Sequence, residues 1–482
     1  MTKKTTYHTP SLFEPQSRGG DTAEGGFSFQ EQYVLSRVPI WLAHNGFTLM
    51  IREAMGDTEA KFFVPGHSFQ IEFIEAKNHL VTPSEFWAEI GRFQEIDNGS
   101  PGDYRWFTLA SVGISDSLRP LVNGLRRIRL PYGFYEDSSA IRENSFKDYV
   151  AVVTKLGHST RDAQFLFEKV LIEPDFALAQ NYGEALFSQS LADYQPEYGN
   201  VSLKTLHDMY TNVGEFVKRS GIKPIVRKEL EAVFRQSIPA EQLPPLMPVH
   251  IHTMSNKDDL ENPFSLRFDW TVFFGGAKRN YPPAQKWNQI LLNDLFQTRD
   301  WILEHRNTRQ IRLTGSRRLS AMLAIGTVFS AVGGFSVDMN HRNKSWATNA
   351  HPTTDTPSYP LEVEFKEGTE HGLVVTIGVG RDIFVEVGKA LTDLNLNGNF
   401  WLHIRGVQSI ISPEHANVMV HEIKDVIKKH LSQIECKQAH LFYAGPSHLA
   451  LFLAHRLNAT MPVQCYEWVS TNLYVPTCSL SC

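Results

Sequence analysis

The chain has 482 residues and a formal net charge of −5. That length predicts two or three domains. The acidic balance excludes binding of nucleic acid through the overall field, so any such contact has to come from local basic patches.

The start, Met1 to Gly20, is polar and lacks the apolar segment of a secretory signal. Gly19-Gly20 and Gly25-Gly26 precede a predicted helix from Phe27 to His44, kinked at Pro39 and stopped at Asn45-Gly46. Phe47 to Glu53 reads as a strand. Gly56-Asp57 reads as a turn, Lys61 to Val64 as a second strand, and Pro65-Gly66 as another turn. Then comes Phe69-Gln70-Ile71-Glu72-Phe73-Ile74-Glu75-Ala76-Lys77. Side chains alternate along a strand, so Phe69, Ile71 and Phe73 share a face with Glu75 and Lys77. An apolar face that ends in a carboxylate and an ammonium suits a strand that crosses a core and opens into a polar site.

With the carboxylate of Asp57, this makes Asp, spacer, Glu-x-Lys, the constellation of metal-dependent nucleases of the restriction-endonuclease type. Asp57 and Glu75 are the candidate ligands of Mg²⁺ or Mn²⁺, which favours oxygen donors. Such a metal activates water and neutralises phosphoryl oxygens, while Lys77 adds positive charge beside them. The plainer use of Glu-x-Lys is a cross-strand ion pair.

A helix follows, with Thr82 as N-cap, Pro83 at its first position and Glu85 completing a Thr-x-x-Glu capping box. Phe86, Trp87, Ile90 and Phe93 form its apolar face. Arg105 to Val112 returns as a strand. Strands, crossover helix, strand is the core order of the restriction-endonuclease fold. Downstream, Arg119, Arg126, Arg127 and Arg129 form either a phosphate-tracking patch or a solvated helix face.

From about Ser159 to Gln236 the chain reads as helical, with no chemistry standing out. The proline-dense stretch from Ser237 to Pro248 is the best domain boundary. The predicted organisation is a nuclease core over 1–150, a helical extension over 151–243 and a sensing domain over 244–482.

The C-terminal half repeats itself. At one constant offset Gly315 falls on Gly445, Leu319 on Leu449, Leu323 on Leu453 and Ala324 on Ala454. Each copy reads strand, glycine turn, apolar helix, and leads on to a short strand and a tryptophan, Trp346 or Trp468. Ser265 to Phe274 and Gly372 to Val379 read as the preceding strands. Strands alternating with helices predict two parallel α/β units. In such sheets the crevice beyond the strand ends takes ligands, and turn and helix N–H groups favour anions. The candidate ligand-binding residues are Thr314, Gly315, Ser316, Arg317, Arg318 and Trp346 in one half. In the other they are Ala444, Gly445, Pro446, Ser447, His448 and Trp468. Packing is the plainer role for both tryptophans. The longest apolar stretch, Leu319 to Phe335, is too short and too interrupted to span a membrane. The four cysteines, Cys436, Cys465, Cys478 and Cys482, have neither zinc-site nor disulfide spacing, which suits a reducing cytoplasm.

The stretch HLFYAGPSHLALFLAHRLNATMPVQCYEW, His440 to Trp468, resembles the signature of the SAVED domain. LTGSRRLSAMLAIG, Leu313 to Gly326, supports this, as do GGFSFQEQ, Gly25 to Gln32, and IEAK, Ile74 to Lys77. The combination is similar to the endonuclease effectors of bacterial CBASS antiphage systems. The resemblance implies an α/β chain: an N-terminal restriction-endonuclease-like domain with a helical extension, then a SAVED domain of two fused CARF-like, Rossmann-like halves. It implies binding of a cyclic oligonucleotide, typically a trinucleotide, then self-association and Mg²⁺-dependent degradation of double-stranded DNA in the cytoplasm. The family's Glu-x-Lys element falls on Glu75 and Lys77, and its upstream acid on Asp57. The usual Pro-Asp is Gly56-Asp57 here, which leaves Glu53 and Glu59 as rivals. Gln30 and Glu31 are candidates for supporting the metal ligands. Two readings compete: a modification-dependent restriction nuclease, and a sensor without catalysis.

Overall fold

The structure, a computed structural model, describes residues 24–132, 134–135, 139–177, 179, 181–255, 263–342, 344–457 and 462–481. Gly19-Gly20, the polar start and Cys482 lie outside the described residues. The chain divides into two compact units, Met1–Pro245 and Leu246–Cys482.

The first unit is one six-stranded sheet between two layers of helices. Its strands are β1 (Phe47–Arg52), β2 (Thr58–Val64), β3 (Ser68–Val81), β4 (Tyr104–Ile114), β5 (Val170–Glu173) and β6 (Ile225–Val226). Their order is β5-β4-β3-β2-β1-β6. The antiparallel meander β1-β2-β3 leads through α2 (Pro83–Gly99) into β4, parallel to β3. On one face pack α1 (Glu24–Ala43), α6 (Tyr182–Tyr194), α7 (Leu203–Ser220) and α8 (Arg227–Gln236), around Trp41, Phe62, Phe187 and Phe234. On the other pack α2, α3 (Arg119–Tyr132), α4 (Ala140–Lys155) and α5 (Thr160–Lys169), around Phe73, Phe93 and Phe107. Helices on both faces explain why residues 72–76 of β3 are all buried instead of alternating.

Two expectations change here. The segment 151–243 is no separate extension: it supplies both edge strands of the sheet and most of one helical layer. The N-cap of α2 is Thr82, whose hydroxyl accepts from Glu85 N–H at 3.4 Å. The other half of the predicted capping box goes elsewhere, because Glu85 takes His79 Nε2 at 2.8 Å.

The second unit contains two sheets. The first has β7 (Val249–Met254), β8 (Leu266–Asp269), β9 (Gln310–Gly315), β10 (Ser336–His341) and β11 (Lys344–Ala347), in the order β11-β10-β9-β7-β8. The second has β12 (Leu361–Lys366), β13 (Gly372–Val379), β14 (Phe400–Gly406), β15 (Gln438–Ala444), β16 (Pro462–Ser470) and β17 (Leu473–Ser481), in the order β12-β14-β13-β15-β16-β17. Helices α9 (Ala284–Lys286), α10 (Asn293–His305) and α11 (Leu319–Val328) belong to the first half. Helices α12 (Phe384–Asp393), α13 (Pro413–Leu431) and α14 (Ser447–Arg456) belong to the second.

The duplication is visible strand by strand. Four parallel strands, β10-β9-β7-β8, match β16-β15-β13-β14, and an antiparallel strand, β11 or β17, closes the same edge of each. The strand that takes the place of β13 is β7, not Ser265 to Phe274 as the sequence suggests. That segment gives only the short β8. The chain then leaves the sheet as Thr271 N–H bonds back to Asp269 Oδ1 at 3.0 Å. Helices α11 and α14 pack directly on each other. A side chain at Gly326 would put its Cβ 2.5 Å from the Leu451 carbonyl, so the close crossing requires glycine.

Candidate functional site: a carboxylate–lysine cluster and a paired sensor seam

Midway along β3, where β2 begins opposite Ile74, the structure brings Asp57, Glu75 and Lys77 together. Asp57 stands just before β2, which runs antiparallel to β3. Its Oδ2 accepts from Ala76 N–H at 2.6 Å and its Oδ1 from the Gln30 side-chain amide of α1 at 2.8 Å. Glu75 Oε1 accepts from Lys77 Nζ at 2.8 Å, and its Oε2 from Arg92 Nη1 of α2 at 3.1 Å. Glu89, one turn before Arg92 on α2, holds Lys77 at 2.9 Å and Arg92 at 3.2 Å.

The electrostatics follow from crowding. Burial, then the nearby Glu75 carboxylate, pushes the Asp57 carboxyl up to about 7. Burial alone would lower Lys77, but Glu75 and Glu89 outweigh it and hold the ammonium well above its usual range. Three carboxylates, Asp57, Glu75 and Glu89, stand against two cations, Lys77 and Arg92, so the cluster favours an added positive charge. The donor set fits a hard divalent ion, which is commonly held by one or two carboxylates with water completing the shell. Among the described residues no group of three or more His, Cys, Asp or Glu side chains is arranged to hold a metal. The fit therefore rests on the pair Asp57 and Glu75.

The rivals of Asp57 serve the turn instead. Glu53 adopts φ +52° and donates its N–H to the Asp57 carbonyl, while Glu59 Oε1 accepts from Met55 N–H at 3.1 Å. Glycine at 56 has a physical reason, since a Cβ there would meet the Phe73 ring at 2.5 Å. Gln30 joins the cluster as expected. Glu31 does not: its Oε1 lies 3.6 Å from where a Cβ at Gly214 of α7 would stand. Arg92 and Glu89 were missed from the sequence. Their spacing on α2, on the side that carries Phe86 and Phe93 into the core, was the available signal. Of the four downstream arginines, Arg119 pairs with Asp116 at 2.8 Å, and Arg129 bonds the Leu166 and Phe167 carbonyls at the end of α5.

In the second unit each glycine turn closes a strand and opens a helix. Gly315 has φ +87°, and a Cβ there would lie 2.1 Å from the Thr253 carbonyl of β7, so only glycine fits. Thr314 Oγ1 meets His252 Nδ1 at 2.9 Å, and Ser316 Oγ meets Ser255 Oγ at 2.8 Å. These bonds pin the turn to β7 and leave Arg317 folded onto the Gly315 carbonyl at 2.7 Å. In the other half, Ala444 ends β15, Gly445 packs against Tyr443, and Tyr443 donates to the Pro446 carbonyl at 3.0 Å. Neither α11 nor α14 has a side-chain cap at its start, although Leu449 N–H already bonds the Pro446 carbonyl at 3.1 Å.

Each helix start also reaches the opposite half. Arg318 lies over Phe274 at 4.4 Å and Tyr281 at 4.9 Å, and feels the charge of Glu467 on β16. Burial lifts the Glu467 carboxyl to about 7 against the pull of Arg318. His448 sits within 4.1 Å of the His341 ring on β10 and 4.5 Å of Trp346 on β11. Thus Arg318 and His448, each three residues past its turn glycine, occupy matching places on one seam. Trp346 is part of that seam but only 5% exposed, so it packs rather than offering a stacking platform. Trp468 does not join. It follows Glu467 on β16 and so faces the other way, donating to Glu386 of α12 at 2.6 Å.

Comparisons with known proteins bear on the second unit and on the fold. The family model of the "SMODS-associated and fused to various effectors sensor domain", SAVED, matches residues 295–480, most of the second unit. The chain contains a SAVED domain. Beyond the SAVED domain, similarity runs along the chain. The CD-NTase-associated protein 4 of an Acinetobacter species is 28% identical over 98% of this chain and 99% of its own. The protein of the same name from Moraxella osloensis is 29% identical over the same shares. Among solved structures, the Acinetobacter baumannii Cap4 SAVED/CARF-domain containing receptor with the cyclic trinucleotide 2'3'3'-cAAA has a TM-score of 0.82 at 24% identity. It covers 96% of this chain and 100% of its own. The Moraxella osloensis Cap4 receptor gives 0.77 at 24% identity, over 95% and 100%. At that identity these structures establish the α/β fold over nearly the whole length. Among the described residues no helix is long and apolar enough to cross a membrane.

The SAVED domain carries its own pH signature. Burial, then His341 and Arg342, lowers the His448 imidazole to about 4. The unfolded chain takes up a proton near pH 6.5 that the folded site refuses. Stability is therefore fully present above about pH 6.5 and is lost as pH falls toward 4, by at most about 1.4 kcal/mol per pH unit. His455, also lowered to about 4, adds in the same direction. Thermal unfolding between about pH 7 and 5 should show a shallower decline for His448→Phe than for the wild type. Equal slopes would show that His448 does not contribute.

Proposed function

We propose that this chain is a cytoplasmic effector nuclease of antiphage defence. A cyclic oligonucleotide, of the trinucleotide class, binds the SAVED domain. It drives self-association and thereby activates metal-dependent cleavage of double-stranded DNA. The observation that carries this reading is the meeting of Asp57, Glu75 and Lys77 midway along β3, in a chain that matches a cyclic-trinucleotide receptor over nearly its whole length.

In this reading Asp57 and Glu75 hold Mg²⁺ or Mn²⁺. When bound, the ion would neutralise phosphoryl charge and lower the pKa of water. Gln30 fixes the Asp57 carboxylate by its amide N–H, and Ala76 N–H fixes the other oxygen. Lys77, kept charged by Glu75 and Glu89, places an ammonium beside the scissile phosphate. In the sensor, Arg317, Arg318 and the uncapped starts of α11 and α14 take ligand phosphates, because guanidinium pairs with phosphate bidentately and helix N-termini favour anions.

Plasmid cleavage with Mg²⁺, with and without 2'3'3'-cAAA and a wider panel of cyclic di- and trinucleotides, tests the reading. Cleavage is expected only with metal and a cyclic trinucleotide, and is expected to stop in excess EDTA. Duplex binding should fall with salt, each phosphate contact contributing about −0.9 to the slope of log K against log salt. Replacing both Arg317 and Arg318 by Ala should raise the ligand Kd in calorimetry. Ligand-independent cleavage confined to modified DNA would identify a restriction enzyme instead. Tight ligand binding with no cleavage under any condition would leave a sensor alone.

A further inference from the structure

Apart from the β3 cluster, the first unit contains a cavity of about 840 Å³ between α3 and α4. A cavity of that size lies within the range of small-molecule sites. Its chemistry is two-sided. Arg126, Arg127 and Arg142 line it against the single carboxylate of Asp148, so its walls are positive. Ile128, Ile141 and Val152 line it as well, which gives it an apolar side.

The floor shows a second feature. Tyr149 is 2% exposed, yet its hydroxyl has no hydrogen-bond partner. The Nε–H of Arg129, whose charge acts on that hydroxyl, has none either. Arg129 is otherwise committed to the Leu166 and Phe167 carbonyls, so its orientation is fixed. Both polar atoms are sealed from solvent, so the floor offers a ligand the Tyr149 ring and not its hydroxyl. Gly124 keeps the space open: a Cβ there would only touch the Tyr149 ring, at 3.4 Å, and a longer side chain would project beyond it.

We propose that this cavity is a binding site for a nucleoside monophosphate. The phosphate monoester pairs with Arg126 and Arg127, where bidentate guanidinium contacts are strongest, while Arg142 is held on the Tyr135 carbonyl at 3.2 Å. The base lies against the isoleucines, Val152 and the Tyr149 ring. A bare inorganic anion would leave that apolar side unused, and a nucleoside would leave the arginines unused. Neither the proposed nuclease reaction nor the sensor seam employs any of these residues, so the inference stands apart from both.

The test is calorimetry of the full chain in EDTA with dAMP, deoxyadenosine and inorganic phosphate as separate probes. Expected is binding of dAMP at least about tenfold tighter than of deoxyadenosine or phosphate. Gly124→Leu should abolish the heat by filling the cavity. Arg126→Ala with Arg127→Ala should weaken dAMP at least about tenfold and spares the floor if the leucine variant fails to fold. No heat with dAMP overturns the proposal. So does heat that persists unchanged in both variants, which would place the nucleotide elsewhere. A double-arginine variant that loses affinity for duplex DNA, in a protein that never bound dAMP, would also overturn it and assign the arginines to the DNA backbone.

Discussion

Glu75→Gln is expected to lower DNA cleavage by about 10²–10³-fold while leaving cyclic-nucleotide binding unchanged. Lys77→Ala is expected to do the same. The size follows from the place of each group. A carboxylate that helps hold the ion, or a charge aimed at the phosphate, contributes mainly to the transition state, and single contacts of that kind commonly contribute about 10²–10³-fold. Glutamine is the better probe at 75 because it keeps the volume and one acceptor. Alanine would leave Lys77 and Arg92, both mostly buried, with Glu89 as their remaining shared carboxylate. Losing one partner of a buried ion pair destabilises folding in its own right. The sensor readout is independent, because the SAVED match and the residues proposed for ligand binding lie in the second unit. Asp57→Asn should match Glu75→Gln. Full cleavage by purified Glu75→Gln or Lys77→Ala, at wild-type metal and ligand, would remove the β3 cluster as the active site. Normal cleavage by Asp57→Asn with loss in Glu59→Gln would move the upstream ligand into the turn.

The second large effect is the gate itself. A nuclease that acts on unmodified DNA has to be nearly silent without its signal. Moving a two-state equilibrium from about 1:99 to 99:1 takes roughly 10⁴-fold differential affinity, about 5.5 kcal/mol. One ligand on one subunit commonly supplies about 1–3 kcal/mol of coupling. Self-association by mass action can add the rest. The SAVED halves are alike in strand order but differ at the seam, where Arg318 faces Glu467 in one place and His448 faces His341 in the other. A contact between unlike faces of successive subunits is head-to-tail, and it builds rings or filaments. The apo protein is therefore expected to be monomeric in light scattering, and a cyclic trinucleotide should raise its mass. At saturating ligand, cleavage should rise more steeply than protein concentration. A ligand-bound monomer whose rate is strictly proportional to its concentration would rule this gate out.

The sequence by itself determined what depends on local pattern. The apolar face ending in Glu75 and Lys77 is a strand because side chains alternate. The start of α2 follows from Thr82 and Pro83, which act within one turn. The duplication shows in Gly315 and Gly445, crowded by the Thr253 carbonyl and by the Tyr443 side chain respectively, so that glycine fits both turns. Tertiary structure decided whatever needed partners far apart along the chain. Arg92 and Glu89 reach the β3 cluster only because the crossover lays α2 on the face that carries Phe73. The strand equivalent to β13 proved to be β7, since sheet order is set by hydrogen bonding across the sheet and not by apolar runs such as Ser265 to Phe274. Trp346 and Trp468 look equivalent in sequence. Packing against His448 and Phe452 of α14 buries the first in the seam, and the pleat of β16 turns the second away from it.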